Sequence, residues 1–229
     1  MVTMPILSEA EHRIVSDAVE QAEATTSGEI VPVIAQMSDG YSDIALTWAA
    51  ALAFTVMSVL LAFPEAATGQ WDAVFAGGWS GEEWSLGNFA SLVVGSGLVV
   101  FALVWLLLLI PAVRFALIPG PIKTQRVRDA AIRHFKVGAD GQTHGKTGVL
   151  LYLSMSEHRA EIVADEPIHE KVDPDVWGEA MADMLAEIRE GRVAEGIAAG
   201  VRDVGVVLSQ HFPRGSDDEN ELPDRLIEL

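Results

Sequence analysis

Asp165, Glu166, His169 and Glu170 stand at and just beyond the end of a predicted strand, Arg159 to Ala164. By type and spacing they are the residues of this chain best suited to chemistry. Hard oxygen ligands gathered where a strand ends suit Ca²⁺ or Mg²⁺, so Asp165, Glu166 and His169 form the expected metal site. Glu29 and Asp39 flank the first predicted strand and could converge on the same rim. The plainer reading, in a chain this acidic, is that these charges are solvated or cap the following helix. Asp173, just before Pro174, reads as a helix cap.

Phosphoryl chemistry would need metal ions to polarise the phosphoryl group, or a nucleophile with cationic support. Arg159 and Lys146 are the nearest basic residues and read as ordinary surface side chains; no motif fixes a nucleophile. Gly145-Lys146-Thr147 imitates a phosphate loop, but Asp140 stands where its first glycine belongs, and a strand follows instead of the helix that such a loop must open. The six histidines, at 12, 134, 144, 158, 169 and 211, form no HExxH pair, which leaves zinc hydrolysis without support. With no cysteine, thiolate nucleophiles, disulfides and iron–sulfur clusters are excluded.

Around these residues the pattern reads as an α/β domain. Ser8 and Glu11 form a capping box ahead of Ile14, Val15, Ala18, Val19 and Ala22 at helical spacing. Glu29 to Gln36 reads as a strand whose Pro32 favours an edge or a bulge. A helix is expected over about Thr124 to Lys136. A glycine-rich turn, Gly138 to Gly148, then leads to the buried strand Val149 to Ser154 and, through a short turn, to its antiparallel partner Arg159 to Ala164. Two helices follow, one opened by Asp173-Pro174 and closed by Gly191, the other ending near Phe212-Pro213. Gly196 and Gly200 suit close packing of that last helix onto the sheet. The tail after Gly215 is acidic and expected to be mobile.

Two uncharged apolar runs, Ile44 to Phe63 and Phe89 to Val113, interrupt this domain. At about 1.5 Å of rise per residue each can cross a hydrocarbon core of roughly 30 Å. The first is no signal peptide, because some forty polar and mixed residues precede it without a basic n-region. Arg114, Lys123, Arg126, Arg128, Arg133 and Lys136 follow the second run, whereas Pro64 to Asn88 contains no Lys or Arg. The positive-inside rule then places that loop outside and both termini in the cytoplasm. Trp48, Trp71, Trp79 and Trp84 suit interfacial anchoring. The loop itself is given no structure, and Gly95-Ser96-Gly97 suits close approach of the two arms of a hairpin.

A formal charge of −18 argues against nucleic-acid binding, which needs a basic surface. Only Arg114 to Lys136 is locally basic, as a membrane-proximal collar would be.

Ser27-Gly28-Glu29-Ile30-Val31, Thr147-Gly148-Val149-Leu150-Leu151, Glu157 to Asp165, His211-Phe212-Pro213 and Asn220-Glu221-Leu222-Pro223 resemble the TPM domain, named for thylakoid, photosystem II repair and acetylcholine-receptor accessory proteins. The resemblance is to its bacterial membrane branch and covers nearly the whole chain outside the apolar runs. It implies an α/β/α sandwich attached to a membrane, in a family with acid phosphatase activity and divalent-ion binding in a chloroplast member and accessory roles elsewhere. Of the site residues only Asp165 matches a family position, as a metal ligand. Here the anchor lies inside the domain and not after it.

The expectation is thus an α/β/α sandwich with a short mixed sheet, in parts 1–43 and 119–213, interrupted by a transmembrane hairpin at 44–118 and followed by an acidic tail at 214–229. Its expected place is the bacterial inner membrane, crossed twice, with the α/β domain cytoplasmic. Its expected role is that of an accessory domain for a protein partner, without nucleic acid. The alternatives are a divalent-metal-dependent phosphatase centred near Asp165 and a lipid-surface sensor acting through the basic collar.

Overall fold

The computed structural model describes residues 5–74, 84–138, 147–215 and 221–229. It divides into two compact units, Met1–Asp39 with Pro119–Leu229, and Gly40–Ile118. The elements in chain order are α1 (Glu9–Glu23), β1 (Glu29–Ala35), α2 (Ser42–Ala62), α3 (Pro64–Val74), α4 (Leu86–Leu107), α5 (Pro111–Leu117), α6 (Gly120–Gly138), β2 (Gly148–Ser154), β3 (Arg159–Ala164), α7 (Glu166–Lys171), α8 (Pro174–Arg189), α9 (Val193–His211) and β4 (Ile227–Glu228).

The first unit is an α/β/α sandwich on a mixed sheet ordered β3-β2-β1-β4. β1 runs parallel to β2 and to β4, and β2 pairs antiparallel with β3. The pleat of β1 and β2 sends alternate side chains to opposite faces. Ile30, Ile34, Val149, Leu151 and Leu153 meet α1, α8 and α9 through Val15, Val19, Met184, Val201, Val204 and Leu208. Val31, Val33, Leu150 and Tyr152 meet α6 through Val127, Ala130, Ala131 and Phe135. The capping box is present: Ser8 accepts from the Glu11 amide while the Glu11 carboxylate accepts from the Ser8 amide at 2.8 Å.

In the α/β unit, three sequence expectations change. β1 is no edge strand. Glu29 N donates to Thr147 O beside β2, and Gln36 N to Leu229 O on the opposite side. Alternation therefore points the missing N–H of Pro32 toward the β4 side, where pairing begins only at Val33, and the proline costs no ladder bond. The end of the acidic tail is ordered, since Ile227–Glu228 is a sheet strand and Leu222 and Leu226 are buried. Gly196 packs on α8, where an added Cβ would lie 2.7 Å from Ile188 Cγ1 and 2.8 Å from Met184 O, while Gly200 meets both Leu151 and Met184.

Gly205 on α9 packs against α1, with Ala22 Cβ 2.6 Å from where a Cβ would stand. Overpacking of this kind costs about 1–3 kcal/mol. Gly205→Val is expected to lower the free energy of unfolding in denaturant by that amount, whereas Gly69→Ala, which meets nothing within 4 Å inside α3, is expected not to destabilise the protein.

In the second unit α2 and α4 are long and apolar enough, by length and composition, to cross a membrane. They pack together, and a Cβ at Gly97 would lie 2.5 Å from Met57 Sδ, so the expected close approach of the two arms occurs at Gly97. The second apolar run is not one helix: α4 ends at Leu107 and Pro111 starts α5, because a proline without an N–H is accommodated at a first turn and not in a helix interior. Pro64 likewise opens α3 within the stretch given no structure. Trp79 lies outside the described residues.

Candidate functional site

Asp165 ends β3 at the rim where β1 and β2 begin. It precedes α7 in extended conformation without capping it by its side chain. Its Oδ2 instead accepts the Gly148 amide at 2.9 Å, and its own amide donates to Gly148 O at 3.0 Å. The side chain is buried, whereas Glu166, His169 and Glu170 on α7 are exposed. Glu29 reaches the same rim, being paired in register with Gly148, but its two carboxylate oxygens accept the amides of Glu221 and Leu222, each at 3.3 Å. Asp39 stands beyond the other end of β1 and pairs with Arg126 at 3.2 Å. Among the described residues no group of three or more His, Asp or Glu side chains is arranged to hold a metal ion. Arg159 donates to the neighbouring His158 carbonyl; Lys146 lies outside the described residues.

A feature the sequence reading missed lies beside Glu29. A cavity of about 210 Å³ is lined by Glu20, Glu23, Ala24, Thr26, Glu29, Arg214 and Asp224. Glu23 falls four residues after Val19, on the buried stripe of α1, and this spacing was the available signal. It is 8% exposed. Its Oε1 accepts the Ile30 amide at 2.7 Å, while its Oε2 is buried with no hydrogen-bond partner. Burial pushes the Glu23 pKa up to about 9; the Ile30 amide opposes this, and the carboxyls of Glu29 and Asp224 add to it. Glu29 is also raised, chiefly by burial and against the pull of its two amide partners. Glu23 thus holds its proton at neutral pH beside the carboxyl groups of Glu29 and Asp224. The arrangement can hold a proton and grip a main chain.

At the opposite ends of β1 and β2 a second buried network forms. Glu157, 2% exposed, accepts the Ser38 amide at 3.0 Å and the Ser154 hydroxyl through a very short hydrogen bond. Ser38 Oγ joins Tyr152 Oη at 3.1 Å and Ser154 Oγ at 2.9 Å. The ring of His134 stacks on Tyr152 at 5.8 Å. Ligands of α/β sheets commonly sit at carboxyl ends of strands, but here the polar atoms are bonded to one another and pin the exit of β1. Glu157 reads from sequence as one residue of a polar turn.

The C-terminal residues are held by their own clasp. Glu228 Oε2 and Oε1 accept the Ile6 and Leu7 amides at 2.9 Å each, and His12 Nε2 lies 2.9 Å from Oε1. Burial raises the Glu228 pKa, but these amides and His12 outweigh it and hold the group below its usual value. A depressed carboxylate contributes stability that is full above its unfolded pKa and fades as pH falls through the folded one. Glu228→Ala should leave two amides unpaired, at about 1–3 kcal/mol. It is expected to lower the free energy of urea unfolding by that amount at pH 7, with the difference from wild type shrinking toward pH 3.

The mixed four-stranded sheet with helices on both faces defines an α/β/α sandwich domain. Residues 113–207 match the family model described as the TPM domain, so the resemblance read from the sequence holds over that segment. The fold is also similar to the NMR structure of the BA42 protein from the psychrophilic bacterium Bizionia argentinensis, with a TM-score of 0.56, 18% sequence identity, and coverage of 99% of this chain and 98% of that one. No curated protein matches the chain.

Proposed function

We propose that this chain is a membrane-anchored, noncatalytic TPM-type accessory domain. In this reading α2 and α4 form a hairpin across the bacterial inner membrane. The segment between them lies outside, and the α/β unit stands in the cytoplasm, where it binds a protein partner. Exposed apolar side chains along both helices, such as Phe54 on α2 and Leu98 and Leu103 on α4, support the anchor. A buried core helix of a soluble protein would cover such side chains.

One observation carries the noncatalytic part. The buried carboxylates at the strand ends, Asp165, Glu29 and Glu157, each accept a main-chain amide instead of presenting free oxygens together to a substrate. The remaining candidates, Glu166 and His169, project to solvent. Capture of the detergent-solubilised full chain and reciprocal capture of a stoichiometric protein partner are expected. Phosphomonoester hydrolysis across Mg²⁺, Mn²⁺ and Ca²⁺ is expected to be equal in wild type and Asp165→Asn. Metal-dependent turnover that disappears in a folded Asp165→Asn protein would overturn the reading in favour of a phosphatase.

A further inference from the structure

The unit formed by residues 40–118 contains a cavity of about 580 Å³ lined by Trp71, Trp84, Ser91, Leu92, Gly95, Ser96, Val99 and Val100, a volume within the roughly 300–1,000 Å³ of small-molecule sites. Resting on the membrane reading above, we propose that it holds one acyl chain of a bilayer phospholipid.

The residues on α4 recur at spacings of three and four, so they form one stripe of that helix. The stripe spans Ser91 to Val100, about 13 Å along the axis at 1.5 Å per residue. It differs from the line through Gly97, which approaches α2 at Met57. The notch in this stripe is Gly95, where an added Cβ would meet nothing within 4 Å. Two indole rings bound the cavity, and the Trp84 Nε1–H donates to Asp72 Oδ2 at 3.2 Å. Tryptophan with a hydrogen-bonded polar edge and an apolar ring belongs at the boundary between headgroups and hydrocarbon.

The chemistry of the walls selects the occupant. Among the described lining residues none is titratable, and the hydroxyls are those of Ser91 and Ser96. A site of this size with so few polar partners does not suit ordered water. The cavity lies on the helix that exposes Leu98, Val99 and Leu103, so its walls continue the surface that faces hydrocarbon in the membrane reading. A lipid tail can then enter sideways without breaking a hydrogen bond, with its headgroup left at the level of the tryptophans.

The test uses the full chain reconstituted in phosphatidylethanolamine–phosphatidylglycerol vesicles with a phospholipid that carries a diazirine on its acyl chain. Crosslinks are mapped by peptide mass spectrometry in wild type and Gly95→Leu, whose Cβ meets nothing within 4 Å. Labelling concentrated on 91–100 and falling at least five-fold in Gly95→Leu is expected, while labelling of exposed positions on α2 such as Leu46 and Phe54 stays unchanged. Equal labelling of α2 and α4 that Gly95→Leu does not alter would mean surrounding lipid only and overturn the site. Absence of label from both helices would overturn the membrane reading itself, and the site with it. Misfolding of the variant would show as lost labelling on α2 as well; a second filling variant, Ser91→Leu, must then reproduce the selective loss, and its failure to do so overturns the site.

Discussion

Glu23→Gln is expected to stabilise the protein at neutral pH, by an amount that grows as pH rises. In the folded state Glu23 keeps its proton up to about 9, against an ordinary value of 4.5. Between these values the unfolded chain has released a proton that the native state retains. Stability therefore falls with increasing pH, by at most about 1.4 kcal/mol per unit. The contribution is whole below about pH 4.5 and is lost progressively as pH rises toward 9. Glutamine keeps an oxygen for the Ile30 amide and turns an N–H toward the neighbouring carboxyl groups without ionising. Relative to its effect at pH 4, the substitution is expected to gain on the order of 3 kcal/mol at pH 7. Thermal unfolding of the detergent-solubilised chain, followed by circular dichroism from pH 4 to 9, reads this directly. A variant curve parallel to that of wild type would show that Glu23 is ionised in the folded protein.

Asp165→Ala is expected to be the second large effect, in the opposite direction. The carboxylate accepts the first amide of β2 in a buried setting. Its removal strands that donor and forfeits a charge-assisted hydrogen bond, at about 2–3 kcal/mol. Asparagine keeps an acceptor oxygen and should recover about half of the loss. The order wild type, Asn, Ala in urea midpoints, unchanged by millimolar Ca²⁺ or Mg²⁺, marks Asp165 as a strand-end anchor. A wild-type midpoint that rises with Ca²⁺ while that of Asp165→Asn does not would instead mark it as a metal ligand, since a ligand that binds only the native state stabilises it.

Much of the fold was legible in the chain because local signals agreed with one another. Ser8 with Glu11, the apolar run from Val149, and Asp173-Pro174 each set a boundary through chemistry that acts within a few residues. What escaped depends on contacts distant in sequence. Pro32 argued for an edge, and only the direction of its missing N–H, fixed by β2 and by a two-residue strand nearly two hundred positions later, reconciles it with a central place. Ile227 and Glu228 carry too little pattern to announce a strand, and the acidic stretch before them suggested a mobile tail. The site followed the same rule. Asp165 and Glu29 do share one rim, but Asp39 lies beyond the other end of β1. The partners that occupy these carboxylates are main-chain amides, which no side-chain motif records. Glu23 stood on an apolar stripe and was passed over because the flanking residues explain the helix without it.

The hairpin and its direction decide where the α/β unit lies. The chain has no cysteine, so single substitutions give clean accessibility probes. Gln70→Cys, exposed on α3, and Ala186→Cys, exposed on α8, would each be produced in bacterial cells and treated with a membrane-impermeant maleimide before and after lysis. Gln70→Cys is expected to be labelled in intact spheroplasts and Ala186→Cys only after lysis. Labelling of Ala186→Cys from outside would reverse the orientation, and protection of both sites until lysis, with release of the chain by alkaline carbonate, would contradict the anchor altogether.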